Sequence, residues 1–146
     1  MPQPDIAPAF GPYVQVATFC QSALQESNGT LSLIRVTDRV AVPGTTPEMP
    51  PTQIQNLTLV IVLKSGEMRG RCNVKITTTI NEQSMGELSI PVLFEAEDRG
   101  VGIVLPTGMM AKDEGIYWFT VSIEGGGILT RIPLSDYQII SESTSG

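Results

Sequence analysis

A chain of 146 residues and 15.7 kDa is about one domain long and can bury a sizeable core without staples. With 41% hydrophobic and only 16% charged residues, against a usual charged share of about 25%, it is neither disordered nor a coiled coil. A formal charge of −6 from 9 basic and 15 acidic residues argues against nucleic acid and anionic bilayers as partners, and the absence of histidine removes the commonest general base, the commonest metal ligand and every Ser-His or Cys-His pair.

In chain order, residues 1–12 carry Pro2, Pro4, Pro8 and Pro12, which fix φ, remove donors and predict an extended N-terminal arm. The same stretch lacks the basic and apolar regions of a signal peptide, and no apolar run approaches the roughly 18 residues of a membrane span, so the expected location is cytoplasmic. In that setting the glycosylation patterns at Asn28-Gly29-Thr30 and Asn56-Leu57-Thr58 are idle. Cys20 and Cys72 are then expected as free, buried thiols, since neither has a second thiol at metal or redox spacing.

The folded domain is expected over residues 13–140. Residues 13–26 open as a strand that may end in a helical turn, residues 30–42 form one strand, and residues 43–55, with Pro43, Pro47, Pro50 and Pro51, form a stiff crossover between sheets. Residues 56–64 place Leu57, Leu59, Ile61 and Leu63 on one face and Val60 and Val62 on the other, the pattern of a central strand with no wet side. Residues 71–80 alternate cleanly, with Cys72, Val74, Ile76, Thr78 and Ile80 inward. In residues 87–95 Pro91 lacks a ladder donor and implies an edge position or a bulge. Strands follow at 101–105, 116–124 and 128–134, the last two joined by Gly125-Gly126-Gly127, and Asn28-Gly29 and Ser65-Gly66 mark further turns. The tail from Ser141 to Gly146 is small and polar and has nothing to bury.

Seven or eight short strands with no convincing helix predict an all-β, antiparallel immunoglobulin-like sandwich, with a small β-barrel as the alternative. Val, Ile and Thr together supply 40 residues, which suits strands. Asp113-Glu114-Gly115-Ile116-Tyr117 matches the approach to a late immunoglobulin strand, with Tyr117 as a tyrosine corner, although Phe119 stands where antibody domains carry a bridging cysteine. The expected core is Leu57, Leu59, Ile61, Val74, Ile76, Ile90, Val92, Phe94, Ile103, Tyr117, Phe119 and Val121.

The chain resembles a family of short, uncharacterised bacterial β-sandwich proteins classed as a domain of unknown function. The residues that carry the resemblance are Tyr13-Val14 with Phe19-Cys20, Gly29 through Val36 with Asp38-Arg39, and Met49-Pro50-Pro51. They continue with Lys64-Ser65-Gly66 and Arg69-Gly70, Pro91 through Glu95, Gly115 with Tyr117-Trp118-Phe119, and Thr130 through Leu134. The resemblance covers about residues 12–135 and implies a bacterial source and a compact domain. It carries over no functional residue.

Candidate chemistry is sparse. Glu95, Glu97 and Asp98 are the densest acidic cluster, able in principle to start a cation site, a carbohydrate site or an acid-base pair, against the plainer reading of a charged strand end closed by Arg99. Arg35, Asp38 and Arg39, and Arg69 with Arg71, have the fork chemistry to grip a carboxylate or phosphate, or else simply pair locally. No serine has an elbow motif, and no phosphate-binding glycine loop opens a helix. The expectation is therefore a non-catalytic protein-binding or assembly module with no cofactor and no bound metal. Its partner would be another protein or a second copy, and strand parity places Trp118, Val60 and Val62 at the interface, with Ile116 and Leu93 also outward.

Overall fold

The computed structural model describes residues 11–27, 30–43, 52–53, 56–107, 110–111 and 115–139, and these contain strands and no helix. The strands are β1 (Tyr13–Gln25), β2 (Leu31–Thr37), β3 (Arg39–Pro43), β4 (Thr52–Gln53), β5 (Thr58–Lys64), β6 (Arg69–Ile80), β7 (Gln83–Glu95), β8 (Gly100–Pro106), β9 (Met110–Ala111), β10 (Gly115–Ile123) and β11 (Ile128–Ile139). A four-stranded sheet runs β2-β1-β5-β8, a five-stranded sheet runs β3-β11-β10-β6-β7, and β4 with β9 makes a two-residue ribbon. The two large sheets do not close into a barrel.

Period-two alternation explains which faces meet. Leu57, Leu59, Ile61 and Leu63 from the first sheet pack with Val74, Ile76, Tyr117, Phe119, Val121 and Leu134 from the second. Phe19 and Phe119 meet across the layers edge to face, with centroids 4.8 Å apart at 66°, the arrangement favoured by the ring quadrupole. Every expected core residue lies in this cluster, Ile90 being partly buried and the others fully. β5 is central, between β1 and β8, and Pro91 lies on the edge strand β7, both as the sequence predicts.

Three expectations are corrected. Residues 13–26 contain no helical turn, because β1 runs straight through to Gln25, with residues 19–25 held in register by β2. Residues 30–42 are two strands: the chain leaves the first sheet at Thr37 and enters the second at Arg39, where β3 lies parallel to β11. The Thr37 hydroxyl donates to Arg39 O at 2.8 Å, and Asp38 O accepts Ser135 N–H at 3.0 Å, so this switch of sheets is hydrogen-bonded on both sides. It raises the strands in the two large sheets to nine, against the seven or eight expected.

The third correction concerns Val60. Parity puts it outward, opposite Leu59 and Ile61, yet it is 0% exposed. Leu31 of β2 reaches to within 3.5 Å of the place a Cβ on Gly102 would occupy. Gly102 lies beside Val62 in β8, and its neighbour Ile103 faces the core, so the β1–β2 hairpin reaches over the outer side of its own sheet. The outward placement of Val60 at an interface therefore fails, while the absence of a wet side on this strand stands at Val60.

The Gly125–Gly127 connection is the expected hairpin turn, with Gly125 at φ 78° and Gly126 N–H donating to Ile123 O at 2.8 Å. The Asn28-Gly29 turn, most of the 43–55 crossover, residues 1–10 of the arm, the Asp113-Glu114 half of the tyrosine-corner motif and the 141–146 tail lie outside the described residues.

Candidate functional site

The acidic cluster lies where β7 turns into β8. Ala96, Glu97 and Asp98 take φ values of 57°, 54° and 57°, three successive left-handed residues without a glycine, each costing about 1–2 kcal/mol. Hydrogen bonds to the β5–β6 turn hold them there: Ala96 N–H to Met68 O at 2.9 Å and Asp98 N–H to Gly66 O at 2.9 Å. Between the two turns sits Ser65, fully buried. Its hydroxyl accepts Arg99 N–H at 3.0 Å and has Ala96 O at 3.0 Å and Gly66 O at 3.1 Å as acceptors for its single proton.

Each carboxylate of the cluster already has a partner. Arg99 lies 3.5 Å from Glu95 and 3.8 Å from Glu97, and the Tyr13 hydroxyl donates to Asp98 at 2.7 Å and 2.9 Å to its two oxygens. That hydrogen bond, with desolvation and the Asp98 charge, raises the Tyr13 pKa above the ordinary phenol value. No group of three potential metal ligands occurs among the described residues. The geometry is that of a partly compensated, solvated acidic strand end in which Tyr13 pins β1 to the β7–β8 turn.

The arginines do not converge either. Arg39 pairs with its neighbour Asp38 at 3.1 Å, both exposed, which is worth about 0–1 kcal/mol. Arg35 lies in β2 of one sheet, Arg69 and Arg71 in β6 of the other. Burial pushes both thiols up, for Cys20 against a weaker lowering by a backbone hydrogen bond from Ile34, and both cysteines are free.

The three residues expected at the interface are not brought together. Trp118 lies in β10 of the five-stranded sheet, whereas Val60 and Val62 lie in β5 of the other. Trp118 is half-buried and carries the Arg131 guanidinium 4.6 Å above its ring centroid. Ile116 and Leu93 are exposed, as parity requires, and Val62 is half-buried.

The feature that sequence reasoning missed is a cleft of about 440 Å³ at the side of the sandwich where β7 and β8 stand as edges. Its floor is core: Leu59, Ile76 and Phe119. Its rim is Leu105, Met85 and Leu88, of which Met85 and Leu88 are 51% and 48% exposed. A register shift between Thr78 and Thr79 interrupts the alternation, and Gln83 through Ser89 are exposed at every position. That stretch begins four residues before the expected strand. The signal was Met85, an apolar residue upstream of the expected strand; Leu88, which alternation with Ile90, Val92 and Phe94 places inward, is instead 48% exposed, because the core side of this end of β7 is the open cleft. Among the described lining residues Glu87 alone is charged, and it is held by Lys75 at 2.9 Å.

No family model matches the chain, and no curated protein matches it.

Proposed function

We propose that this chain is a non-catalytic protein-binding or assembly module, built on an immunoglobulin-like sandwich and binding through the side where β7 and β8 flank the cleft. The observation that carries the reading is the cleft itself, whose floor is the buried core residues Leu59, Ile76 and Phe119 and whose apolar rim holds the half-exposed Met85 and Leu88. Accessible apolar surface of this kind commonly marks contacts.

Strand order supports the immunoglobulin-like part. β1-β5-β8 matches the A-B-E run of one sheet, and β6-β10-β11 matches the C-F-G run of the other. The buried ring of Tyr117 suits a tyrosine corner. The reading keeps the cytoplasmic location and excludes nucleic acid and membrane as partners, on the strength of the −6 charge. It also keeps the bacterial family that the sequence resembles.

The test is photo-crosslinking in the native host, with a benzophenone amino acid placed in turn at Met85, Leu88 and, as a remote control, Arg71. Protein-sized adducts from Met85 and Leu88 but not from Arg71 are expected. Adducts of equal yield from all three positions, or from none, would overturn the reading.

A further inference from the structure

We infer that β8 is a self-association edge: two copies of this chain pair their β8 strands antiparallel about a twofold axis, joining two four-stranded sheets into one. The inference rests on the proposed binding side and names the partner as a second copy.

The two large sheets have four edge strands, β2, β8, β3 and β7, and an exposed edge is a template for pairing unless it is defended. Three are defended. β2 has Arg35 in mid-strand at φ 56°, which puts a charge and a left-handed residue into the edge. β3 is five residues long, opens on Arg39 and ends on Pro43. β7 carries Pro91, Glu87 and Glu95.

Of these devices β8 has only a terminal proline. Gly100-Val101-Gly102-Ile103-Val104-Leu105-Pro106 contains no charge, and its proline is the last residue. It stays in unbroken register with β5 from Lys64↔Gly100 to Thr58↔Pro106, and among the described residues it pairs with no other strand. Its second edge is therefore a straight row of backbone donors and acceptors roughly 23 Å long at about 3.3 Å per residue, and another strand satisfies such a row.

The side chains select the second copy. In an antiparallel self-pair centred on Ile103, each residue meets the one equally far from that centre on the other copy. Val101 then faces Leu105 and Ile103 faces itself, all on the core side, where all three pack against the core cluster. On the outer side Gly102 faces Val104, and Gly100 faces Pro106. Apolar meets apolar inside, and outside each larger residue meets a glycine, with Leu31 beside Gly102 adding apolar surface to the seam. It also brings no charge against its own image, as β7 would with Glu87 and Glu95. Such a contact is isologous and closes at two copies.

Sedimentation equilibrium of the purified full chain, up to about 200 µM, is expected to show a reversible monomer–dimer equilibrium. Val104→Lys, at a 37% exposed position on the outer side, should weaken the dimer at least about tenfold, by setting two ammonium groups near the axis. Leu93→Lys, the same charge change on exposed β7, should leave it unchanged, and circular dichroism should show both variants folded. Hydrogen exchange over residues 100–106 should slow as concentration rises. A wild type that stays monomeric, a dimer indifferent to Val104→Lys, or concentration-dependent protection confined to another edge would overturn the inference. A monomer that still gives crosslinks from Met85 and Leu88 to a different protein would overturn the dimer and leave the binding reading standing.

Discussion

Ser65 is a buried hydroxyl that satisfies one N–H and lies within reach of two carbonyls from the β5–β6 and β7–β8 turns. Its partners Ala96 and Arg99 lie 31 and 34 residues away, so the sequence marks Ser65 only as the first half of a turn. Ser65→Ala should cost about 1–3 kcal/mol in urea unfolding, the usual penalty for orphaning buried backbone groups. Relief of strain works the other way: Ala96→Gly should stabilise the chain by up to about 1 kcal/mol, because Ala96 at φ 57° occupies a region in which only glycine is unstrained. A destabilised Ala96→Gly would show that the three-residue left-handed run is not held against strain. Two surface contacts titrate at high pH. Tyr13 is raised by its hydrogen bond to Asp98, and Lys75 by its hydrogen bond to Glu87. A group whose folded pKa is raised contributes fully below its unfolded value, near 10 for Tyr13 and 10.5 for Lys75, and the contribution is lost as pH climbs through the folded value. Stability should therefore fall above about pH 10, and in Tyr13→Phe the phenolate absorbance titration should lose a step that lies above the ordinary phenol range. An unchanged titration would remove Tyr13 from the account.

At the scale of elements, alternation was enough to identify the core. Phe119, Val121 and Tyr117 are buried, while Ile116 is exposed, because a strand on a single core has only two faces to offer. Phe119→Ala should cost about 3–5 kcal/mol by denaturant titration, through lost burial, a cavity and the lost edge-to-face contact with Phe19. Leu93→Ala, on the outer face of β7, should cost under about 0.5 kcal/mol. Comparable losses from the two would contradict the assignment of faces. The same alternation could not reveal the break at Asp38. The break depends on Ser135 of β11 offering its N–H to Asp38 O, and β11 lies about a hundred residues downstream, beyond any local pattern. Nor could it show that Val60 is fully buried, since only in the fold does the β1–β2 hairpin reach over the outer side of its own sheet. The candidate site was only partly legible for a related reason. Arg99 as the closing partner of Glu95 and Glu97 was legible as the plainer reading, but Tyr13 reaches Asp98 only in the fold, and the cleft is defined by residues from five strands that no spacing connects.

For the molecule as a whole, burial is unevenly distributed, and stability should follow it. β5, β6 and β10 each lie between two hydrogen-bonded neighbours and contribute Leu59, Ile61, Val74, Ile76, Phe119 and Val121 to the core. Gln83 through Ser89 of β7 pair on one side only and are exposed on both faces. Few buried contacts and a solvent-facing ladder are the conditions for local opening well below the global unfolding free energy. Hydrogen exchange read at peptide level should therefore show residues 58–64 and 117–123 exchanging only through global unfolding. Residues 83–89 should exchange orders of magnitude faster, with little dependence on mild denaturant. The opening would widen the cleft, since Met85, Gly86, Glu87 and Leu88 form one of its walls, and an occupant that closed the cleft would slow exchange in the same stretch. Protection of residues 83–89 equal to that of β10 in the isolated chain would mean that the hairpin is anchored and that the cleft is a fixed feature of the sandwich rather than one that breathes.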